Sequence, residues 1–316
     1  MKKKTISVVI TCFNEKENIL DMYKRIKSAF TKTNYSFEII FVDNASTDDS
    51  YKTLKQLAQK DKAVVVIIMS RNFGSPQPSF IAGMQKATGK AVVLLHGDIQ
   101  DPPELIPQFI KKWESGYDVV YGVRNKRRGY GFAYNFFYRA FYLVLAKLAY
   151  IPIPLNAGEF SLMDKRVVKE LLEIDEYDYN VRCLRAFVGF KQIGVEYIRD
   201  ARLKGRSTES FASGIWWAKT IILNFSFKPL AWISRIAFFV MLVSFGLLIF
   251  NIFLLLFRHD APRGTPTIIL SVLFLGGVQL FALSIIAEYI AKIFLEVKRR
   301  PKFIIKEMFN EKPKKT

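Results

Sequence analysis

Ile6-Ser7-Val8-Val9-Ile10-Thr11 runs directly into Cys12-Phe13-Asn14-Glu15. A short, β-branched, uninterrupted apolar run ending in polar residues reads as a strand buried on both faces. The turn then opens a helix over Glu17–Phe30, where Ile19, Met22, Tyr23, Ile26 and Phe30 recur at helical spacing. The pattern repeats outward. Phe37–Val42 predicts a second strand and Ser50–Gln59 a helix. Val64–Met69 predicts a third strand, followed by a helix over Ser79–Ala87 that Gly89 closes. Ala91–Leu95 predicts a fourth, then a helix over Pro103–Glu114 and a strand at Asp118–Gly122. Such alternation implies an α/β, Rossmann-like domain, with helices on both faces of a parallel sheet. Ligands of these sheets gather at the carboxyl ends of strands. The loops concerned are Thr11–Glu15, Asp43–Asp48, Ser70–Gly74 and His96–Asp101.

Two of these loops carry recognisable chemistry. In Asp43-Asn44-Ala45-Ser46-Thr47-Asp48 a strand-end carboxylate suits a ribose hydroxyl or a base edge. Ser46 and Asp48 equally suit capping of the next helix, so the ligand reading leads at Asp43 and the cap reading at Asp48. In His96-Gly97-Asp98-Ile99-Gln100-Asp101-Pro102-Pro103-Glu104, Asp98 has an oxygen ligand two residues on. That pair suits Mg²⁺ or Mn²⁺ held against a diphosphate. A cation there neutralises the charge of a departing diphosphate. Asp101, ahead of two prolines, reads as the cap of the following helix.

The 316 residues carry 47 Lys and Arg against 28 Asp and Glu, a net charge of +19, with 51% hydrophobic and 15% aromatic residues. The charge points to anionic partners, and the apolar content turns that reading from nucleic acid toward membrane. Cys12 and Cys183 are too few and too far apart for a disulfide framework or a zinc site. Met1-Lys2-Lys3-Lys4 leads straight into the first strand, with too short an apolar run for a secretory signal, so this region is expected in the cytoplasm.

Ile236–Phe257 and Thr265–Ala287 contain no charged residue. Each is long enough, at roughly 33 Å as a helix, to cross a hydrocarbon core. The short linker Arg258–Gly264 makes them a hairpin. Its outer flanks are basic: Lys228 and Arg235 before it, Lys292 and a tail from Lys298 with eight Lys or Arg against two Glu after it. That bias places both termini on the cytoplasmic side of a multi-pass cytoplasmic-membrane protein. The tail suits anionic headgroups or plain solvent equally. Tyr134–Tyr150 and Ser213–Phe227, the latter with Trp216, Trp217 and Lys219, suit the membrane interface or ordinary packing on the domain. The expected organisation is a domain over 1–212, an interfacial segment over 213–234, two transmembrane helices over 235–295, and a tail over 296–316.

Ser7-Val8-Val9-Ile10-Thr11-Cys12-Phe13-Asn14-Glu15 resembles the opening of glycosyltransferase family 2, and Asp98-Ile99-Gln100-Asp101-Pro102-Pro103-Glu104 resembles the stretch around its metal motif. Gly158-Glu159-Phe160-Ser161-Leu162-Met163-Asp164, Glu288-Tyr289-Ile290 and Glu296-Val297-Lys298-Arg299-Arg300-Pro301 narrow the resemblance to the bacterial polyprenyl-phosphate (bactoprenol) glycosyltransferases, relatives of dolichol-phosphate mannose synthase. It covers nearly the whole chain. It implies a GT-A fold, a divalent metal, and inverting transfer of a sugar from a nucleotide-sugar donor, UDP-linked by expectation, to polyprenyl (undecaprenyl) phosphate. By the same resemblance Asn14, Glu15, Asp43 and Asp98 face the donor, and Asp98, Gln100 and His96 surround the metal. Asp98 and Glu159 lie at the reaction centre. Arg124, Arg128, Arg182, Arg202 and Ser207 grip the acceptor phosphate, with Lys126 or Arg127 alternatives to Arg128. Membrane lipids and a homo-oligomer packed through Gly276-Gly277 complete the expected partners; nucleic acid is not among them.

The chain departs from the family pattern at four places. His96, Asn44, Asn156 and Glu159 stand where the family favours aspartate. His binds Mn²⁺, but fewer carboxylates hold a hard cation less firmly. These departures keep in view a non-catalytic module that binds nucleotide sugar or lipid phosphate; a second rival is a transferase acting on another glycan. The second lacks the Arg-Trp element of processive synthases.

Overall fold

The computed structural model describes residues 4–127, 151, 154, 156–199, 220, 224–226, 228–257 and 264–311. Two compact units emerge from its packing. The first is built on an eight-stranded sheet. Its strands are β1 (Thr5–Cys12), β2 (Ser36–Asp43), β3 (Val64–Met69), β4 (Ala91–His96), β5 (Val119–Arg127), β6 (Ala157–Asp164), β7 (Gln192–Arg199) and β8 (Ile305–Phe309), in the order β7-β5-β6-β4-β1-β2-β3-β8.

Helices cover both faces. On one, α1 (Lys16–Thr31), α2 (Ser50–Lys60) and α4 (Ile106–Glu114) bury Ile19, Met22, Ile26, Leu54 and Phe109 against Ile6, Val8 and Ile10 of β1. Each such apolar side chain contributes about 1.5–3 kcal/mol by leaving water. On the other face α3 (Gln77–Lys86) lies so close that a Cβ on Gly83 would stand 2.2 Å from Val9 Cγ1. The helices α5 (Lys165–Glu173) and α6 (Val181–Phe187) follow β6.

The sheet is mixed, which corrects the parallel sheet expected from alternation. The β1–β2, β2–β3, β1–β4 and β5–β7 pairs are parallel, but β6 runs antiparallel between β4 and β5. Strand β5 leaves a slot beside β4 after the α4 crossover, and β6 fills it from the opposite direction. A second correction concerns the tail. Ile305–Phe309, expected in solvent or on headgroups, pairs antiparallel with β3. All six residues of β3 are buried, and without β8 its free edge would offer unpaired amides to other chains. Asn310, at φ 56°, closes this edge by donating from Nδ2 to the carbonyls of Ala58 (2.5 Å) and Val64 (2.9 Å).

The second unit contains α7 (Lys228–Phe257) and α8 (Thr265–Lys298). Among the described residues one stretch, Phe274–Lys298, is long and apolar enough to cross a membrane. Exposed Phe281, Leu283, Ile290 and Phe294 stud it, as Phe238, Phe239, Phe245 and Phe250 do α7. Most of Tyr134–Tyr150 and Ser213–Phe227 lies outside the described residues.

Candidate active site

Three loops at the carboxyl ends of β1, β2 and β4 each hold a non-glycine residue at positive φ: Asn14 (56°), Ala45 (57°) and Ile99 (59°). For a β-branched residue such as Ile99 this conformation costs about 1–3 kcal/mol, and such strain clusters at working sites. The loops brace one another. Asn14 Oδ1 accepts from Thr47 N (2.8 Å), while Asn14 N donates to Ser46 Oγ (2.9 Å). Glu15 is buried, with its carboxylate accepting from Asn18 Nδ2 (2.5 Å) and its amide donating to Ser50 Oγ (3.2 Å). Asp48 accepts from Ser50 N (2.9 Å) and Lys16 N (3.2 Å), the first amides of α2 and α1, from a position one residue before the N-cap of α2.

Asp43 is buried and accepts from both the amide and the hydroxyl of Ser46. Burial raises its pKa, and the Ser46 contacts oppose the rise. Asn44, at a family aspartate position, shapes the loop after β3: it donates to Asn72 Oδ1 (3.1 Å) and accepts from Phe73 N (3.1 Å). A neutral amide does both, whereas a carboxylate only accepts.

At the end of β4, Gly97 lets the chain pass close to β1; a Cβ there would stand 2.9 Å from Cys12 Sγ. His96 Nδ1 lies 3.4 Å from Thr11 Oγ1 and Nε2 lies 3.4 Å from Glu159 Oε2. Burial disfavours the charged ring, but the Glu159 hydrogen bond and charge outweigh it and raise the His96 pKa. Glu159 on β6 accepts from Gln77 Nε2 (3.3 Å), and Gln77 Oε1 accepts from Val181 N at the start of α6 (2.9 Å). Burial pushes the Glu159 carboxyl up, yet His96, Arg182 and Arg124 hold it well below the usual range. Two sequence-selected residues, His96 and Glu159, therefore meet, and Gln77 ties them to α6.

A second cluster centres on Asp101, read from sequence as a helix cap. The structure corrects that reading. Asp101 is fully buried, accepts a hydrogen bond from Tyr197 Oη, and faces Arg199 Nε (3.5 Å) and Arg124 Nη2 (3.6 Å). Those two guanidinium groups keep its carboxyl ionised below its usual pKa despite burial. Arg124 also donates from Nε to Tyr197 Oη (3.2 Å). Arg199 Nη2 lies 3.8 Å from Asp98 Oδ2, so one arginine joins this cluster to the metal-motif loop. Arg182 donates to the Ala157 carbonyl (3.2 Å). Arg128, Arg202 and Ser207 lie outside the described residues. Sequence reasoning missed Gln77, Tyr197 and Arg199. The period-two spacing of Tyr197 and Arg199 on one strand face was a usable signal; Gln77 offered none.

Gly158 marks how tightly Arg124 is seated, since a Cβ there would meet Arg124 Nη2 at 2.4 Å. Gly158→Ala is expected to displace Arg124 from Tyr197 and Asp101 and to lower stability by about 1–3 kcal/mol. Thermal melting checks this; an unchanged melting temperature would mean that Arg124 shifts freely.

Asp98 stands just past the end of β4, with Gln100 two residues on. One of its oxygens accepts from Gln100 N (3.3 Å), and Gln100 is half-buried beside it. No group of three or more His, Cys, Asp or Glu is assembled among the described residues. That donor set fits a Mg²⁺-type ion, which commonly takes one or two carboxylates and completes its shell with substrate phosphates and water.

Residues 7–172 match the family model described as glycosyl transferase family 2. The chain is 37% identical, over 96% of its length and 94% of the relative's, to the Bacillus subtilis (strain 168) protein named "Uncharacterized glycosyltransferase YkcC". It is 36% identical to a bactoprenol glucosyl transferase of Shigella phage SfV, covering 98% of this chain and 99% of that protein. Among solved structures it is similar to mannosyltransferase PcManGT from Pyrobaculum calidifontis in complex with GDP-Man and Mn²⁺. The TM-score is 0.45 at 14% identity, over 95% of this chain and 87% of that one.

Proposed function

Because this chain belongs to glycosyl transferase family 2, an enzyme family, we propose that it moves a sugar from a nucleotide-sugar donor, UDP-linked in our reading, onto polyprenyl (undecaprenyl) phosphate. The observation that carries this is the match to a protein named bactoprenol glucosyl transferase over 98% of the chain, C-terminal helices included. The product is a polyprenyl-phosphate-sugar for cell-envelope glycan modification.

The acceptor sets the chemistry. A phosphate monoester carries about −1.5 to −2 charges near neutral pH, so its oxygen attacks the anomeric carbon without first losing a proton. The new C1–O bond forms as the bond to the nucleoside diphosphate breaks, with inversion, and the electron pair leaves on the diphosphate. Asp43 takes the nucleoside, and Asn14 and Glu15 fix the loops around it. Asp98, with Gln100 and His96, would hold Mg²⁺ or Mn²⁺, and such an ion would supply positive charge to the leaving group. Arg124 and Arg182, joined by Arg128, Arg202 and Ser207, grip the acceptor phosphate, a task suited to the guanidinium fork. Arg124 arrives pre-oriented by Asp101 and Tyr197.

Glu159 is then an orienting carboxylate. Glu159→Gln is expected to keep measurable turnover, with kcat reduced by about tenfold or less. Its complete loss, with donor and acceptor still bound, would make Glu159 indispensable and contradict this role.

The protein is anchored in the cytoplasmic membrane by a hairpin over 235–295, with the catalytic domain and both termini cytoplasmic. Two features support it: α7 spans 30 residues with no charge from Ile236 onward, and basic residues flank the hairpin on both sides. At Gly276 and Gly277 an added Cβ would meet nothing within 4 Å among the described residues, which suits that helix face to a second copy. Release of nucleoside diphosphate with and without polyprenyl phosphate tests the function. Release that accelerates only with the lipid is expected; none under either condition would make the protein a binding module.

A further inference from the structure

Arg185 heads the fully buried side chains by size among the described residues, and none of its three guanidinium nitrogens has a hydrogen-bond partner. Its neighbours behave differently. Arg124 engages Tyr197 and Asp101, and Arg182, one helical turn earlier on α6, donates to the Ala157 carbonyl. Even the backbone of Arg185 is satisfied, its carbonyl accepting from Gln192 Nε2 (2.7 Å). The side chain alone is left with the Tyr121 ring, whose centroid lies 4.9 Å from Cζ. A ring face attracts a cation but satisfies none of the five N–H groups of the guanidinium. Burying such a group unpaired opposes folding, and an unbranched apolar side chain would occupy the space without that penalty.

The charge nevertheless persists at neutral pH. Burial pulls the Arg185 pKa down to about 10, with Glu159 the leading opposing influence. Among the described residues no carboxylate pairs with the guanidinium, and it is fully buried, so its field is weakly screened. Gln77, bonded both to Glu159 and to Val181 N at the start of α6, ties that carboxylate to the helix that carries Arg185. The reaction brings two further anions to the same region, the acceptor phosphate and the departing diphosphate.

We propose that Arg185 is a positioning residue that acts through its field: without touching either substrate, it supplies buried positive potential to Glu159 and to the phosphate anion that reacts beside it. This rests on the function proposed above. Its signature is opposition between stability and activity, which a packing role would not produce.

The test uses the full chain in detergent, comparing wild type, Arg185→Met and Arg185→Lys by thermal melting and by steady-state transfer kinetics. Arg185→Met is expected to melt at the wild-type temperature or above it, by about 2 °C or more where the penalty is fully relieved. Its kcat is expected to fall by about tenfold or more, with donor KM changed by less than about twofold. Arg185→Lys, which keeps the charge, is expected to retain a higher kcat than Arg185→Met and to melt below it. An Arg185→Met protein that fails to fold or melts well below wild type would make the guanidinium a structural group and overturn the proposal. So would an unchanged kcat, or a lysine variant no more active than the methionine one. Failure of the underlying function would show in wild type itself, as absence of lipid-linked sugar.

Discussion

Asp101→Asn is expected to lower the melting temperature by roughly 10 °C and to take most transfer activity with it. Asp101 is completely buried, and its charge faces both Arg124 and Arg199. Asparagine has nearly the same shape and still accepts from Tyr197, so the change removes charge and little else. Breaking a buried ionic cluster by removing one partner costs about 3–5 kcal/mol, because the remaining cations stay desolvated. In a domain of this size each kcal/mol shifts the melting temperature by about 2–4 °C. The exposed Arg25–Glu104 pair is a matched control. It is shorter, at 2.7 Å from Arg25 Nε to Glu104 Oε1, but half of the Glu104 side chain is solvent-exposed. Glu104→Gln is therefore expected to change stability by less than about 1 kcal/mol. Melting curves of the two variants decide between burial and distance as the determinant. Equal shifts would remove Asp101 from the centre of the site.

Asp98→Asn is expected to do the reverse: leave stability nearly intact and lower kcat by about 10²–10³-fold. In the folded chain Asp98 has modest structural duties. It accepts from Gln100 N at 3.3 Å and stands 3.8 Å from Arg199 Nη2. The amide oxygen of asparagine keeps the first contact, and the second is already long. What disappears is the anionic oxygen that, in the proposed reaction, holds the cation against the leaving diphosphate. Steady-state kinetics with and without added Mn²⁺, beside a melting curve, read both halves. A large loss of stability would reassign Asp98 to the fold, and full activity would remove it from the reaction.

These two aspartates also show where sequence reasoning succeeded and where it ran out. Strands β1 to β4 were legible because each is a short, largely apolar run flanked by turn residues, and their observed limits differ by at most one residue at either end. Their order in the chain placed Asp43 and Asp98 at carboxyl ends correctly. Strand β6 was not legible as a strand: Gly158, Glu159 and Ser161 break its apolar pattern, and its conformation is imposed by β4 and β5 on either side. Strand β8 hid in a charged tail for the same reason, since only the open edge of β3 makes Ile305–Phe309 extended. Asp101 misled because Asp-Pro-Pro gives the same local signal whether the carboxylate caps a helix or turns inward. Its partners sit on β5 and β7, and no local pattern announces a contact with distant strands. Glu159 was singled out by motif, but its contacts with His96 and Gln77 depend on the antiparallel insertion of β6.

The most direct test of the central claim is product identification. Detergent-purified protein is incubated with undecaprenyl phosphate, Mg²⁺ or Mn²⁺, and a panel of nucleotide sugars, with Asp98→Asn in parallel, and the lipids are read by mass spectrometry. The predicted result is one new lipid, heavier than the acceptor by a single glycosyl unit, formed with one donor and lost in the variant. Folded, lipid-binding protein that gives no such product with any donor, or gives it equally with Asp98→Asn, would contradict the account.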